Sequence, residues 1–199
     1  MWRDVFFGYS VQEGQLMKML QGLILTCALS CLGQTSHAQN LTTEQAYAAI
    51  PHARTVFNVE QSKLTNQQKD GLKRLFGLSD QGVVLKVEAM RAFQAGDKAR
   101  LDYFVQRYTF LIKGLQDLAI PNELTAARKL IVAAVQDHQR FYVRKQQEIG
   151  RQAWSLSSEA QLASQKLHQA YADLLKQYPQ ENANNRQAFF DYLCALDFL

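Results

Sequence analysis

Cysteine is scarce, with Cys27, Cys31 and Cys194 the only three in 199 residues. No Cys-x-x-Cys-His run exists, which excludes covalent attachment of c-type haem, and no set of two Cys or His pairs at zinc-ligand spacing is present. Proline is as rare, at Pro51, Pro121 and Pro179 alone. No Asn-Gly or Asp-Gly dipeptide separates alternating apolar runs, the single Asp70-Gly71 lying inside a helical pattern, so a hairpin-built sheet is excluded as well. Glycine-rich phosphate loops, nucleophile elbows and the Glu-x-x-His pairs of metal-binding bundles are missing. The charge imbalance is small, a formal +4, far from that of a nucleic-acid-binding arm. No apolar run approaches the roughly 20 residues needed to span a bilayer.

What is present begins with an address. Met17-Lys18-Met19-Leu20 leads into the apolar stretch Leu23 to Leu32, and Ser36 and Ala38 follow as a small-residue exit. This order of a basic start, a short apolar core and small residues two apart is that of a secretory signal. Residues 1–38 are therefore expected to be a signal region cleaved after Ala38, leaving 39–199 as a single helical domain. The acidic and aromatic residues of 1–16, such as Trp2, Asp4, Phe6 and Phe7, do not suit a leader and place the true start at Met17 or Met19. An alternative exit is Ala28-Leu29-Ser30-Cys31, which loosely resembles a lipobox and would anchor the chain through Cys31. The expected location is periplasmic or secreted, with no transmembrane helix after cleavage.

Cleavage removes Cys27 and Cys31, so the exported chain keeps only Cys194 and has no internal disulfide. The apolar setting of Cys194, between Phe189 and Leu196, predicts that it is buried.

The exported part reads as all-α, an up-and-down bundle of four to six helices with an aromatic C-terminal helix packed on it. Thr42 with Gln45, Thr65 with Gln68 and Ser158 with Gln161 have capping-box spacing and predict three helix starts. The first helix is short, ending before Pro51, and His52 to Ser62 is an extended connection pinned by the apolar residues of Arg54-Thr55-Val56-Phe57. From Asn66 a helical pattern pauses at Ser79-Asp80-Gln81-Gly82, which leaves two helices or one kinked one, and it ends at Gly96. Asp97 caps the next helix, whose stripe runs Leu101, Phe104, Val105, Tyr108, Leu111, Ile112 and Leu115. Another starts at Pro121-Asn122 and extends to about Trp154, one follows Ser158 to Tyr178, and the last covers Arg186 to Phe198 after a polar link at Asn182 to Asn185.

Candidate sites are few. His138 lies in an apolar stripe with Phe141 and Tyr142, and Arg140 and Arg144 share the neighbouring face. These five residues are the candidate ligand-binding set: the rings and His138 line an inter-helix pocket, and the guanidinium groups hold an anion. Asp137 and His138 are adjacent, about 100° apart on a helix, and do not chelate together. Neither catalytic residues nor a metal or cofactor site is expected. Non-covalent haem would need axial ligands such as Met90 with His138 or His168, and nothing in the pattern singles these out. The expected role is therefore non-enzymatic binding to an envelope protein or an anionic surface, with no nucleic acid involved. The alternative is a ligand-binding or catalytic bundle with a pocket around His138.

Overall fold

A helix starts where side chains satisfy its first backbone N–H groups, and two of the three expected capping boxes do this. In the computed structural model, which describes residues 41–149 and 157–198, α1 (Thr43–Tyr47) and α2 (Asn66–Gln94) begin at Thr42 and Thr65. Each threonine hydroxyl accepts from the N–H of Gln45 or Gln68, and each glutamine returns a carbonyl to the threonine N–H. The leader, the Ala38 exit and Cys31 lie outside the described residues.

α2 ends where Gly96 takes φ +68°, a left-handed turn that a Cβ would strain. Asp97 then caps α3 (Lys98–Gln116) by accepting from the Arg100 N–H. After Pro121 a 3-10 turn (Asn122–Leu124) leads into α4 (Thr125–Gln147), and α5 (Ser158–Gln177) and α6 (Ala183–Leu196) complete the chain. Among the described residues there are six α-helices and one 3-10 turn and no strand, as the all-α reading requires. No described helix is long and apolar enough to cross a membrane.

Four local expectations differ from the structure. α2 does not pause at Ser79–Gly82 but runs unbroken from Asn66 to Gln94. Ser79 turns its hydroxyl back onto the Leu75 carbonyl, and Gly82 is a point of close approach, where an added Cβ would sit 2.7 Å from Leu196 Cδ1. α5 is capped by Ser157, which accepts from the Ala160 N–H, so Ser158 is already helical and no box forms with Gln161. α4 stops at Gln147 rather than near Trp154. α6 starts earlier than Arg186, because Asn182 in the supposed link accepts from the Asn185 N–H.

Helices α2 to α5 pack in sequence order, each antiparallel to the one before, as their mutual contacts show. Gln139 of α4 reaches the Val105 carbonyl and Thr109 of α3, while Gln146 reaches Asp102 further back along α3. α6 then lies antiparallel to α5 and parallel to α2, closing the bundle. Phe76 of α2 stacks on Tyr192 with ring centroids 4.4 Å apart, and Phe57 and Phe189 join the same aromatic group. The stripe expected for α3 is buried along its length.

The connection between α1 and α2 has no helix or sheet to satisfy its backbone, so buried side chains do it. The Thr55 N–H donates to Asp191 (3.0 Å) and the Lys63 N–H to Glu181 (3.0 Å). Asn185 accepts from the Asn58 N–H (2.8 Å) and donates to the Asn58 carbonyl (3.0 Å). Phe57 is the apolar pin, whereas Val56 remains exposed. The connection is thus a strap laced to α6.

Candidate functional site

The five residues expected to bind a ligand are not brought together. His138, Phe141 and Tyr142 are buried in the bundle interior, while Arg140 is exposed and Arg144 half-exposed on the outside of α4. Phe198 fills the space beside the three rings, with centroids 4.3 Å from His138, 4.7 Å from Phe141 and 5.8 Å from Tyr142. Tyr108 closes another side edge-on to His138 at 6.4 Å. Neither nitrogen of His138 has a hydrogen-bond partner, and the Tyr108 hydroxyl also lacks one. Burial, helped by the charge of Lys86, pushes the His138 imidazolium pKa down to about 3, so the ring is neutral at ordinary pH.

The two arginines are likewise engaged. Arg140 pairs with buried Asp137, which Lys166 of α5 holds from its other oxygen. Arg144 bridges to Glu159 at 3.1 Å and lies 3.8 Å from Glu148. The face expected to attract anions is therefore tied to its own carboxylates and serves to join α4 to α5.

Several other titratable groups of the interior have structural partners, although the buried Tyr178 hydroxyl has none. Glu88 accepts from the Leu41 N–H (2.8 Å) and from Arg100 (2.8 Å). Asp80 holds the Tyr47 hydroxyl (2.9 Å) and Arg54 (2.6 Å). Lys86, buried in α2, donates to the carbonyls of Ala195 (2.6 Å) and Asp197 and so satisfies the C-terminal end of α6. Its burial draws the ammonium pKa down to about 8, against the pull of Asp197. Cys194 is half-buried rather than buried, its Sγ 3.4 Å from His52 Nδ1, and burial raises its pKa. Among the described residues no group of three His, Cys, Asp or Glu is arranged to hold a metal ion.

A concave site exists elsewhere, on the α2–α3 face. Glu88, fixed by Arg100, ties down the Leu41 N–H, and the chain from Leu41 into α1 becomes a third wall beside the two helices. The resulting groove has a volume of about 520 Å³. α2 contributes Leu78, Val84 and Leu85, and α3 contributes Tyr103, Phe104, Arg107, Phe110 and Leu111. Phe110 is 69% exposed and Tyr103 44%, high values for large apolar side chains.

Arg107 lies between them on the same helical face. Its Nη1 is 3.4 Å from the Tyr103 hydroxyl and its guanidinium carbon 5.9 Å from the Tyr103 ring centroid. No carboxylate pairs with it among the described residues. Glu44, the acidic member of the lining, is 3.7 Å from Arg54. Sequence reasoning passed over this groove, although Tyr103, Arg107 and Phe110 stand off the buried stripe of α3 as an aromatic-cation-aromatic set at helical spacing. Comparison with known protein families, with curated proteins and with solved structures finds no match to this chain.

Proposed function

We propose that this is an exported helical-bundle protein of the cell envelope, periplasmic or secreted, which acts by binding rather than by catalysis. Its partner seats in the groove between α1, α2 and α3. The carrying observation is that groove of about 520 Å³, within the size range of small-ligand sites, with Phe110 and Tyr103 held out of the core at its lip. The interior polar groups, by contrast, serve as caps, strap ties and helix-to-helix bridges. The export reading is supported by the leader pattern of residues 17–38.

A neutral apolar dye, N-phenyl-1-naphthylamine, tests the groove directly. Fluorescence titration of the full chain is expected to saturate at one dye per chain. Phe110→Asp is expected to weaken it about tenfold or more, by placing a charge against the apolar wall. Val56→Asp, also at an exposed apolar position but on the strap, leaves it unchanged. Non-saturable binding, or equal losses in both variants, would dismiss the groove. N-terminal sequencing of chain recovered from the envelope should read from Gln39; a start at Met1, or a diacylated Cys31, would dismiss the cleaved form.

A further inference from the structure

We infer that the groove is built for a free single-chain carboxylate, with its headgroup on Arg107 and its alkyl chain along Leu78, Val84 and Phe110. The inference rests on the binding role of the groove and adds the chemistry of the ligand. The apolar part of the lining sets the tail. Leu78 and Val84 of α2 are half-exposed and face the exposed Phe110 of α3 across the groove, a combination that leaves apolar surface in water until something covers it.

Arg107 sets the headgroup. Tyr103 braces its guanidinium from one side, through the hydroxyl at 3.4 Å and the ring at 5.9 Å, so the planar fork is positioned without being neutralised. A braced guanidinium recognises a carboxylate through two parallel N–H···O bonds. The other cations near this face are already engaged, Arg100 with Glu88 at 2.8 Å and Arg54 with Asp80 at 2.6 Å. Glu44 is drawn towards Arg54, which leaves Arg107 to define the sign of the charge that the groove prefers. One unpaired cation and a volume of about 520 Å³ suit one acyl chain with one negative charge, rather than a two-chain phospholipid in a bilayer.

Calorimetric titration of the full chain with three amphiphiles of equal chain length, each below its micelle concentration or, for the alcohol, its solubility limit, tests this. Dodecanoate is expected to bind roughly tenfold tighter than dodecanol, and dodecyltrimethylammonium weaker than either. Arg107→Gln should bring dodecanoate to parity with dodecanol while leaving dodecanol unchanged, and Arg107→Lys should keep part of the preference. In the wild type, decanoate, dodecanoate and tetradecanoate should gain up to roughly fourfold per added methylene. Arg107 is exposed, so the variants are expected to keep the wild-type circular dichroism spectrum.

Equal affinity for dodecanoate and dodecanol, or a preference for the ammonium, would overturn the carboxylate assignment and leave the groove as a neutral or cation-accepting site. A uniform loss of both ligands in Arg107→Gln would also overturn it, by making Arg107 a structural residue. Flotation with phosphatidylglycerol vesicles in the absence of dodecanoate binding would replace it with membrane docking. If none of the three amphiphiles binds, the groove reading falls together with this inference.

Discussion

His138 is a polar residue treated by the fold as an apolar one. Neither of its nitrogens is hydrogen-bonded, Phe198 and Tyr108 enclose it, and its pKa falls from the ordinary 6.5 to about 3. In the unfolded chain the ring takes up its proton near pH 6.5, whereas in the folded chain it does so only near pH 3. The unfolded state thus binds more protons across that window, and stability is lost as pH falls through it, by about 5 kcal/mol at most. Urea titrations at pH 7 and pH 4 are expected to show a smaller acid loss for His138→Leu than for the wild type, by several kcal/mol. All other titratable groups are common to both proteins, so the informative quantity is the difference between them. Identical losses would mean that the imidazole is solvated or partnered in solution.

At the scale of the element, neighbouring serines give a sharp test. Ser157 accepts from the Ala160 N–H and caps α5, whereas the Ser158 hydroxyl meets only the Glu159 carboxylate at the surface. Ser157→Ala is expected to lower stability by about 1 kcal/mol and Ser158→Ala by much less, as read from thermal unfolding. The reverse order would restore the capping box at Ser158 and Gln161. This pair also shows how far the sequence is legible. The Thr42 and Thr65 boxes, the Gly96 stop, the Asp97 cap and the α3 stripe were readable, because each signal lies within a few residues of its effect. Ser79–Gly82 reads as a break because helix propensity is local, but Gly82 answers to Leu196, a residue remote in sequence. The stripe containing His138 and Phe141 was readable as apolar. That the space beside it is filled by Phe198 rather than left as a pocket was not, since nothing in α4 encodes the position of the chain after α6. The groove is illegible for the same reason, as its walls come from three elements, α1 with the chain before it, α2 and α3.

For the molecule as a whole, the buried polar side chains are joints between parts far apart in the chain. Asn185 binds both backbone groups of Asn58, and Asp191 and Glu181 hold Thr55 and Lys63 beside it. Removing Asn185 leaves those groups without partners, a cost of about 2 kcal/mol. Asn185→Ala is expected to speed amide hydrogen exchange at Asn58 and its neighbours more than in α3 or α4, as read by mass spectrometry. Uniform acceleration across all helices would mean that the strap and bundle open together, as a single cooperative unit.

The parallel pairing of α6 with α2 sets an order of events during synthesis. While the ribosome is still making α5, the flank of α2 around Phe76 and Gly82 has no cover, and Lys86 has no carbonyls to hold. The strap lacks its anchors for the same interval. Early helices can form transiently, but the contacts that lock them await residues 183–198, so the growing chain stays loose until those residues have been made.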